Sequence, residues 1–340
     1  VKSAFVPRLI NGPFGDPGLH VTFKWGAEAL QFDLGRLDRL PAAEILKVRH
    51  VFVSHTHMDH FYGFDRMLRL FLARDARLAI HGPPGIIANV CGKIAGYTWN
   101  LTDGYPLVID VHEVDVERMR SVRLAAAQSF RPEELGEGPF RGRLVDTESF
   151  TVDAVHLDHR IPSMAFAFQE MTHLNVRSSE LEQMGVTPGR WLNELKLAIR
   201  AGADDAMLIE APTRTSEGTS SRRWSLRELR DRLVIESPGQ KIGYIVDTIF
   251  SQANADKVVA LMAGADCLFC ESLFLDEDRH EARKRYHLTA RQAGTLARMA
   301  NVRMLRTFHF SPRYEGQADR LYTEAQAAFR GEIPPDEPFF

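Results

Sequence analysis

Short apolar runs that stop abruptly at polar residues recur along this chain, and between them apolar residues return at helical spacing. Val51-Phe52-Val53 runs into Ser54-His55-Thr56-His57-Met58-Asp59-His60. Phe64, Met67, Leu68, Phe71 and Leu72 then recur at intervals of three and four, so the polar loop joins a strand to an amphipathic helix. Leu78-Ala79-Ile80 predicts a further strand, stopped by Gly82-Pro83-Pro84-Gly85. Phe150 to Val155 alternates and ends at His156-Leu157-Asp158-His159; Lys241 to Val246 ends at Asp247-Thr248; Val302 to Phe308 ends at His309. Four strands thereby deliver polar residues from their C-terminal ends to one rim, as open α/β sheets place their sites. Before the last strand, Thr289 with Gln292 forms a capping box and Ala293, Leu296, Ala297 and Ala300 make an apolar stripe.

Between Phe168 and Lys241 the pattern loosens. Ser178 to Met184 reads as helical, Thr213 to Ser221 as a polar stretch, and Ser225 with Glu228 as a capping box that puts Arg223, Arg227 and Arg230 on one helical face. Residues 169–240 are expected to be an insertion or arm on a single domain spanning 1–340. Pro334 to Pro338 reads as an unstructured tail.

Composition narrows the class without naming a function. The 340 residues are 44% hydrophobic, enough for a sizeable core, and the net charge of −3 weighs against a dedicated polyanion binder. Arginine clusters at 222–232 and 279–285 fit either solvated helix faces or phosphate contacts. The three cysteines, Cys91, Cys267 and Cys270, build no disulfide framework, and a cytoplasmic protein is expected. No stretch is long and apolar enough to span a bilayer, so no membrane partner is expected.

The loop from Ser54 to His60 changes the picture. Three imidazoles and a carboxylate in seven residues are the donors that borderline divalent ions prefer, and more than one catalytic ion takes from one segment. Two ions are the working expectation.

His55-Thr56-His57-Met58-Asp59-His60 with separate downstream ligands resembles the metallo-β-lactamase superfamily, and the later segments resemble its ribonuclease Z branch, the tRNA 3′-processing endonucleases. The matching stretches are Ala79 to Gly85, Leu157 to Pro162, Gly185 to Gly189 with Leu195-Lys196, Tyr244 to Thr248, Tyr286 to Ala290 and His309 to Tyr314, in the family order. The resemblance implies a four-layer αββα sandwich of α/β class with the metal centre at the rim between its sheets. It implies that His55, His57 and His159 hold one ion, that Asp59, His60 and His309 hold the other, and that Asp247 bridges them. His159 is preferred to His156 because the family ligand precedes a turn like Arg160-Ile161-Pro162. Asp59 would orient the attacking water, His287 would stabilise the phosphate or protonate the departing oxygen, and Arg313 is a candidate substrate contact. The implied cofactors are two divalent ions, Zn2+ first, with Mn2+ or Fe also accepted by these donors. The implied partner is RNA, a pre-tRNA or another phosphodiester, and the family's habit is a homodimer.

The chain departs from the family at Met58, where a glycine is usual, at Ala165-Phe166-Ala167 and at Arg190-Trp191. The family's Gly-Pro-rich arm is not recognisable. Two alternatives to a ribonuclease Z-like phosphodiesterase stay open: a hydrolase of a small substrate (cyclic nucleotide, thioester, lactone or sulfate ester), and an iron-dependent oxidoreductase.

Overall fold

The computed structural model describes residues 5–24, 26–215 and 218–338. Eight strands form the first sheet in sequence order: β1 (Phe5–Leu9), β2 (Leu19–Phe23), β3 (Ala29–Phe32), β4 (Val48–Phe52), β5 (Arg77–Gly82), β6 (Val108–Val114), β7 (Arg118–Ala125) and β8 (Pro132–Pro139). Its centre, β3 to β6, is parallel and its flanks are antiparallel. β9 (Arg143–Asp146), β10 (Phe150–Asp158) and β11 (Pro162–Glu170) open the second sheet. β12 (His173–Val176), β13 (Leu208–Thr215), β14 (Gly218–Ser225) and β15 (Val234–Ser237) follow outside it. β16 (Lys241–Ile245), β17 (Cys267–Glu271) and β18 (Leu305–Phe308) complete it in the order β18-β17-β16-β11-β10-β9.

The helices are α1 (Ala42–Ile45), α2 (Met58–Phe61), α3 (Phe64–Phe71), α4 (Ile86–Ala95), α5 (Ser178–Gln183), α6 (Trp191–Arg200), α7 (Leu226–Leu233), α8 (Gln252–Met262), α9 (Arg279–Arg285), α10 (Ala290–Met299) and α11 (Ala318–Arg330). Strand alternation sorts the core into layers. Phe52 of β4 faces inward with Phe32, Phe166, Phe168 and Tyr244, joining the two sheets. Val51 and Val53 face outward onto Phe64, Met67, Leu68 and Phe71 of α3 and Ile86 and Val90 of α4. Leu268 and Cys270 of β17 face the opposite outer layer, against Val258, Ala293, Leu296 and Leu321 of α8, α10 and α11. The architecture is the αββα sandwich. Inward and outward burial of one strand explains why Val51-Phe52-Val53 reads as an unbroken apolar run. The same alternation puts Cys267 in the inter-sheet core and Cys270 outside it, so the two thiols cannot act as a pair.

Residues Met171–Gly239 form a second compact unit, with its own core of Leu174, Leu181, Trp191, Leu195, Ile209, Trp224 and Leu229. In this unit the polar stretch beginning at Thr213 is part of a β-hairpin, β13 with β14, whose Ser and Thr residues conceal the alternation. Arg223 lies on β14 and not on a helix; Arg222 covers the Trp224 ring at 4.0 Å. Ser225 caps α7 by accepting from the Glu228 amide, so only Arg227 and Arg230 of the predicted face are helical. The expected strand from Val302 is shorter and begins at Leu305.

The capping box at Thr289 forms in both directions. The segment Pro334–Pro338 has no regular structure yet is fastened: Gln292 Nε2 donates to Asp336 Oδ2 at 2.9 Å and the Asp336 amide donates to Thr295 Oγ1. No helix among the described residues is long and apolar enough to cross a membrane.

Candidate metal centre

β4 ends against two neighbours. The Val53 amide donates to the His81 carbonyl, and the Ser54 amide donates to Asp33 Oδ1 at 2.7 Å. Asp33, fully buried just after β3, also accepts from Ser54 Oγ, from Tyr244 Oη at 3.0 Å and from His60 Nδ1 at 2.9 Å. With Nδ1 committed to a carboxylate, His60 turns Nε2 and its lone pair to the centre. α2 presents Asp59 and His60 from its first turn. Across the rim, His159 follows β10 and its Nδ1 meets the Tyr286 carbonyl at 2.7 Å, which likewise frees Nε2. Asp247 follows β16 and His309 follows β18; both have left-handed backbone, φ 40° and 58°, which turns the side chain back over the strand end.

Three donor clusters result, each with its ligating atoms within 4.8 Å of one another: His55, His57, His159 and Asp247; Asp59, His60 and His309; and Asp247, Glu271, His287 and His309. Asp247 sits between the first two groups. Its Oδ2 lies 3.5 Å from His55 Nε2 and 3.4 Å from both His60 Nε2 and His159 Nε2, and its Oδ1 lies 3.0 Å from His309 Nδ1. His55 Nε2, His60 Nε2, His309 Nδ1 and Asp247 Oδ1 are buried without a hydrogen bond. Buried polar atoms aimed at one another without such bonds fit a divalent ion between them.

The electrostatics agree. Burial pushes the His55 imidazole down to about 2 and lowers His159, keeping both neutral as ligands must be. Burial works the same way on His309, but the carboxylates of Asp247, first, and Asp59 beside it lift it to about 10. Asp59 is held well below the ordinary carboxylate range against its burial, by His309 and His60. These anions draw protons onto their neighbours, a demand for positive charge that metal ions meet.

The curated ribonuclease Z of Deinococcus radiodurans is 30% identical to this chain over 328 residues, which span 94% of the chain and 95% of that protein. The chain belongs to the ribonuclease Z family. A ribonuclease Z of Bacteroides fragilis is also 30% identical, over 84% of the chain and 79% of the relative. No family model matches. Among solved structures, a metallo-β-lactamase fold protein of Bacillus subtilis aligns at a TM-score of 0.52 and 15% identity, covering 98% of this chain and 96% of the other. The short form of human tRNase Z aligns at 0.51 and 17%, covering 91% and 92%. Both support the fold. As a ribonuclease Z family member the protein is a metal-dependent hydrolase, and neither the small-substrate nor the oxidoreductase alternative is favoured.

For a ribonuclease Z the surroundings of the donors matter as much as the donors. A cavity of about 650 Å³ opens over them and is lined by Asp59, Asp247, His287 and His309 and by three cations, Arg160, Lys284 and Arg285. Arg160 is held in place: its Nη2 donates to the Lys284 carbonyl at 2.9 Å and its guanidinium lies 4.9 Å from the Tyr286 ring centre. His287 lines the same cavity, and its Nδ1 meets Glu271 Oε2 at 2.8 Å. Burial favours the neutral imidazole, yet the charges of Glu271 and Asp247 raise the His287 pKa above the ordinary histidine value.

Every sequence-expected metal ligand thus lies in these clusters, and His156 does not; its Nε2 meets the Val114 carbonyl. Arg313 does not line the cavity. It pairs with Asp278 at 3.1 Å and lies over the Phe274 ring, a brace for the loop after β17. Sequence reasoning missed Asp33 and Glu271. Glu271 ends the apolar run Cys267–Cys270 and Asp33 follows Ala29–Phe32, apolar but for Gln31, so both obey the strand-end rule that found Asp247.

Proposed function

We propose that this protein is a ribonuclease Z-type endoribonuclease that removes 3′ extensions from precursor tRNA, leaving a 3′-hydroxyl on the mature end. The observation that carries the reading is the pair of donor clusters meeting at Asp247 beneath a cavity rimmed by Arg160, Lys284 and Arg285. His55, His57 and His159 would hold one divalent ion and Asp59, His60 and His309 the other, with Asp247 within reach of both sets; zinc suits this imidazole and carboxylate set. Ions so held supply Lewis acidity, polarising the phosphoryl oxygen and acidifying water.

The chain's own residues do the rest. Asp59 orients the attacking water and accepts its proton, and the phosphorus–O3′ bond breaks as His287, protonated and oriented by Glu271, gives its proton to the departing oxygen. Arg160, Lys284 and Arg285 hold backbone phosphates by charge. A reducing compartment such as the cytoplasm suits the three free thiols, and a homodimer is the expected assembly, measured by light scattering.

Metal analysis of the purified protein, coupled to cleavage of a 3′-extended pre-tRNA and of bis(p-nitrophenyl) phosphate, tests the reading. Two ions per chain and cleavage at the 3′ end of the acceptor stem are expected. Absence of bound divalent metal, or hydrolysis of the small ester with intact pre-tRNA, overturns it.

A further inference from the structure

A second cavity, about 550 Å³, begins where the metal centre ends: Asp59 lines both. Its other walls are Asp16, Arg36, Met58 and Tyr62. Met58 and Tyr62 lie on and beside the short helix that carries Asp59 and His60, and they are 80% and 56% exposed, an unusual investment of large apolar surface next to a catalytic centre.

The backbone behind this cavity is closely packed. A Cβ at Gly35 would lie 2.3 Å from the Pro17 carbonyl and 2.8 Å from Asp16 Cβ, and one at Gly63 would lie 2.2 Å from the Gly35 carbonyl. Three backbone segments therefore meet at contact distance, tied by Gly35 N to Pro17 O at 2.9 Å and Gly63 N to Leu34 O at 2.7 Å. Asp16 is further fixed by Asn11 Nδ2, which donates to its carbonyl, while its carboxylate has no hydrogen-bond or ion-pair partner among the described residues.

The two cavities differ in charge. The first carries Arg160, Lys284 and Arg285 at its rim. Asp59 belongs to both; the second adds the Asp16 carboxylate, and the one cation among its described lining residues, Arg36, is paired with Asp38 at 3.3 Å. A phosphate is attracted to the first and repelled from the second. An uncharged planar ring that presents N–H donors suits the second, because it stacks on a phenol and satisfies a free carboxylate.

We propose that Tyr62, Met58 and Asp16 form a subsite for one nucleobase flanking the scissile phosphodiester, with Tyr62 as the stacking platform and Asp16 accepting from an exocyclic amino group. The subsite rests on the ribonuclease reading above. It gives the substrate strand a direction across the centre, phosphates over Arg160 and Lys284 and a base over Tyr62. It also makes the enzyme selective for an amino-bearing base at that position.

The test is a cycle of wild type and Tyr62→Ala against 3′-extended RNAs that carry either all their bases or a single abasic ribonucleotide on one side of the cleaved bond. At one of the two positions, base removal is expected to lower kcat/KM of the wild type about tenfold, the scale of aromatic stacking on a base, and that of Tyr62→Ala less than twofold. Tyr62→Phe should restore the wild-type response, and Asp16→Ala should abolish a preference for cytosine over uracil there. Losses that multiply independently at both positions overturn the subsite and leave the ribonuclease reading standing. Uncleaved RNA with intact hydrolysis of an aryl phosphodiester overturns both.

Discussion

The two sheets supply the metal centre in opposite ways. The first contributes one contiguous loop, His55 to His60, whose donors lie just before α2 and on it, and whose brace, Asp33, directly follows the adjacent strand of the same sheet. The second contributes single residues, His159, Asp247 and His309, each at the end of a different strand. A loop concentrates ligands but leaves them mobile unless something grips it, hence the buried fan of hydrogen bonds onto Asp33. A strand end is rigid but points its side chain along the sheet, hence the left-handed backbone at Asp247 and His309, a conformation that stores of order 1 kcal/mol at a non-glycine residue. The loop achieves its geometry through hydrogen bonds, Asp247 and His309 through backbone strain held by the sheet, and His159 through its bond to the Tyr286 carbonyl.

If that contrast is right, the strand-end side is where single substitutions do most harm. Asp247→Ala is expected to lower kcat/KM by at least about a thousandfold, the scale of losing several kcal/mol of transition-state charge stabilisation, and to deplete metal from both clusters. His57→Ala, on the exposed part of the loop, should deplete only the cluster it shares with His55 and His159. Metal content measured beside activity decides; equal losses from both variants break the contrast.

Glu271→Gln sharpens it next. Glu271 Oε1 accepts from the Thr248 amide at 2.8 Å while Oε2 holds His287, so the amide preserves the shape and removes the charge. A fall in kcat of about a hundredfold with unchanged metal content is expected if His287 acts on the leaving oxygen. Loss of metal in this variant would instead make Glu271 a ligand, as its place in the third donor cluster allows.

Asp33→Asn probes the loop side. It leaves His60, Ser54 and Tyr244 facing a neutral amide, and metal affinity should weaken tenfold to hundredfold, the usual effect of disturbing the group that orients a ligating imidazole. Competition with a chelator measures this directly.

The same contrast governed what could be read from sequence. A dense loop announces itself, and the strand-end ligands could be placed because histidine and aspartate follow apolar runs that needed no such ending. Asp33 and Glu271 follow the same rule and were passed over, since a carboxylate after a strand looks like ordinary solvation until burial is known. The layered core was legible from the runs and the amphipathic helices. The hairpin β13–β14 was not, because Pro212 and the Ser and Thr residues of its strands replace the hydrophobic alternation that marks a sheet face. Arg313 could not be separated from Arg160 by type or spacing. Only the ion pair with Asp278 distinguishes a brace from a cavity wall.

A last difference between the sheets concerns acid. On the first sheet the aromatic ladder Phe32 to Phe52 continues through His81 and His112, with ring centres 5.1 Å from Phe52 to His81 and 4.6 Å from His81 to His112, and His50 lies alongside. Stacked rings 19° to 20° from parallel cannot converge on one ion, so these histidines serve as core aromatics. Burial pushes His50 down to about 4, His81 well below the ordinary value and His112 below it as well. The unfolded chain therefore binds protons near pH 6.5 that the folded chain refuses, and stability present at pH 7 falls as pH drops below about 6.5, continuing toward 4 for His50. His81 has no hydrogen bond at either ring nitrogen, so His81→Phe keeps the stack and removes one refused proton. Denaturant unfolding should find this variant about 1 to 2 kcal/mol less sensitive than wild type to a shift from pH 7 to pH 5. An unchanged pH slope would mean that the acid sensitivity resides in the metal centre, whose histidines differ from these in having carboxylates to face.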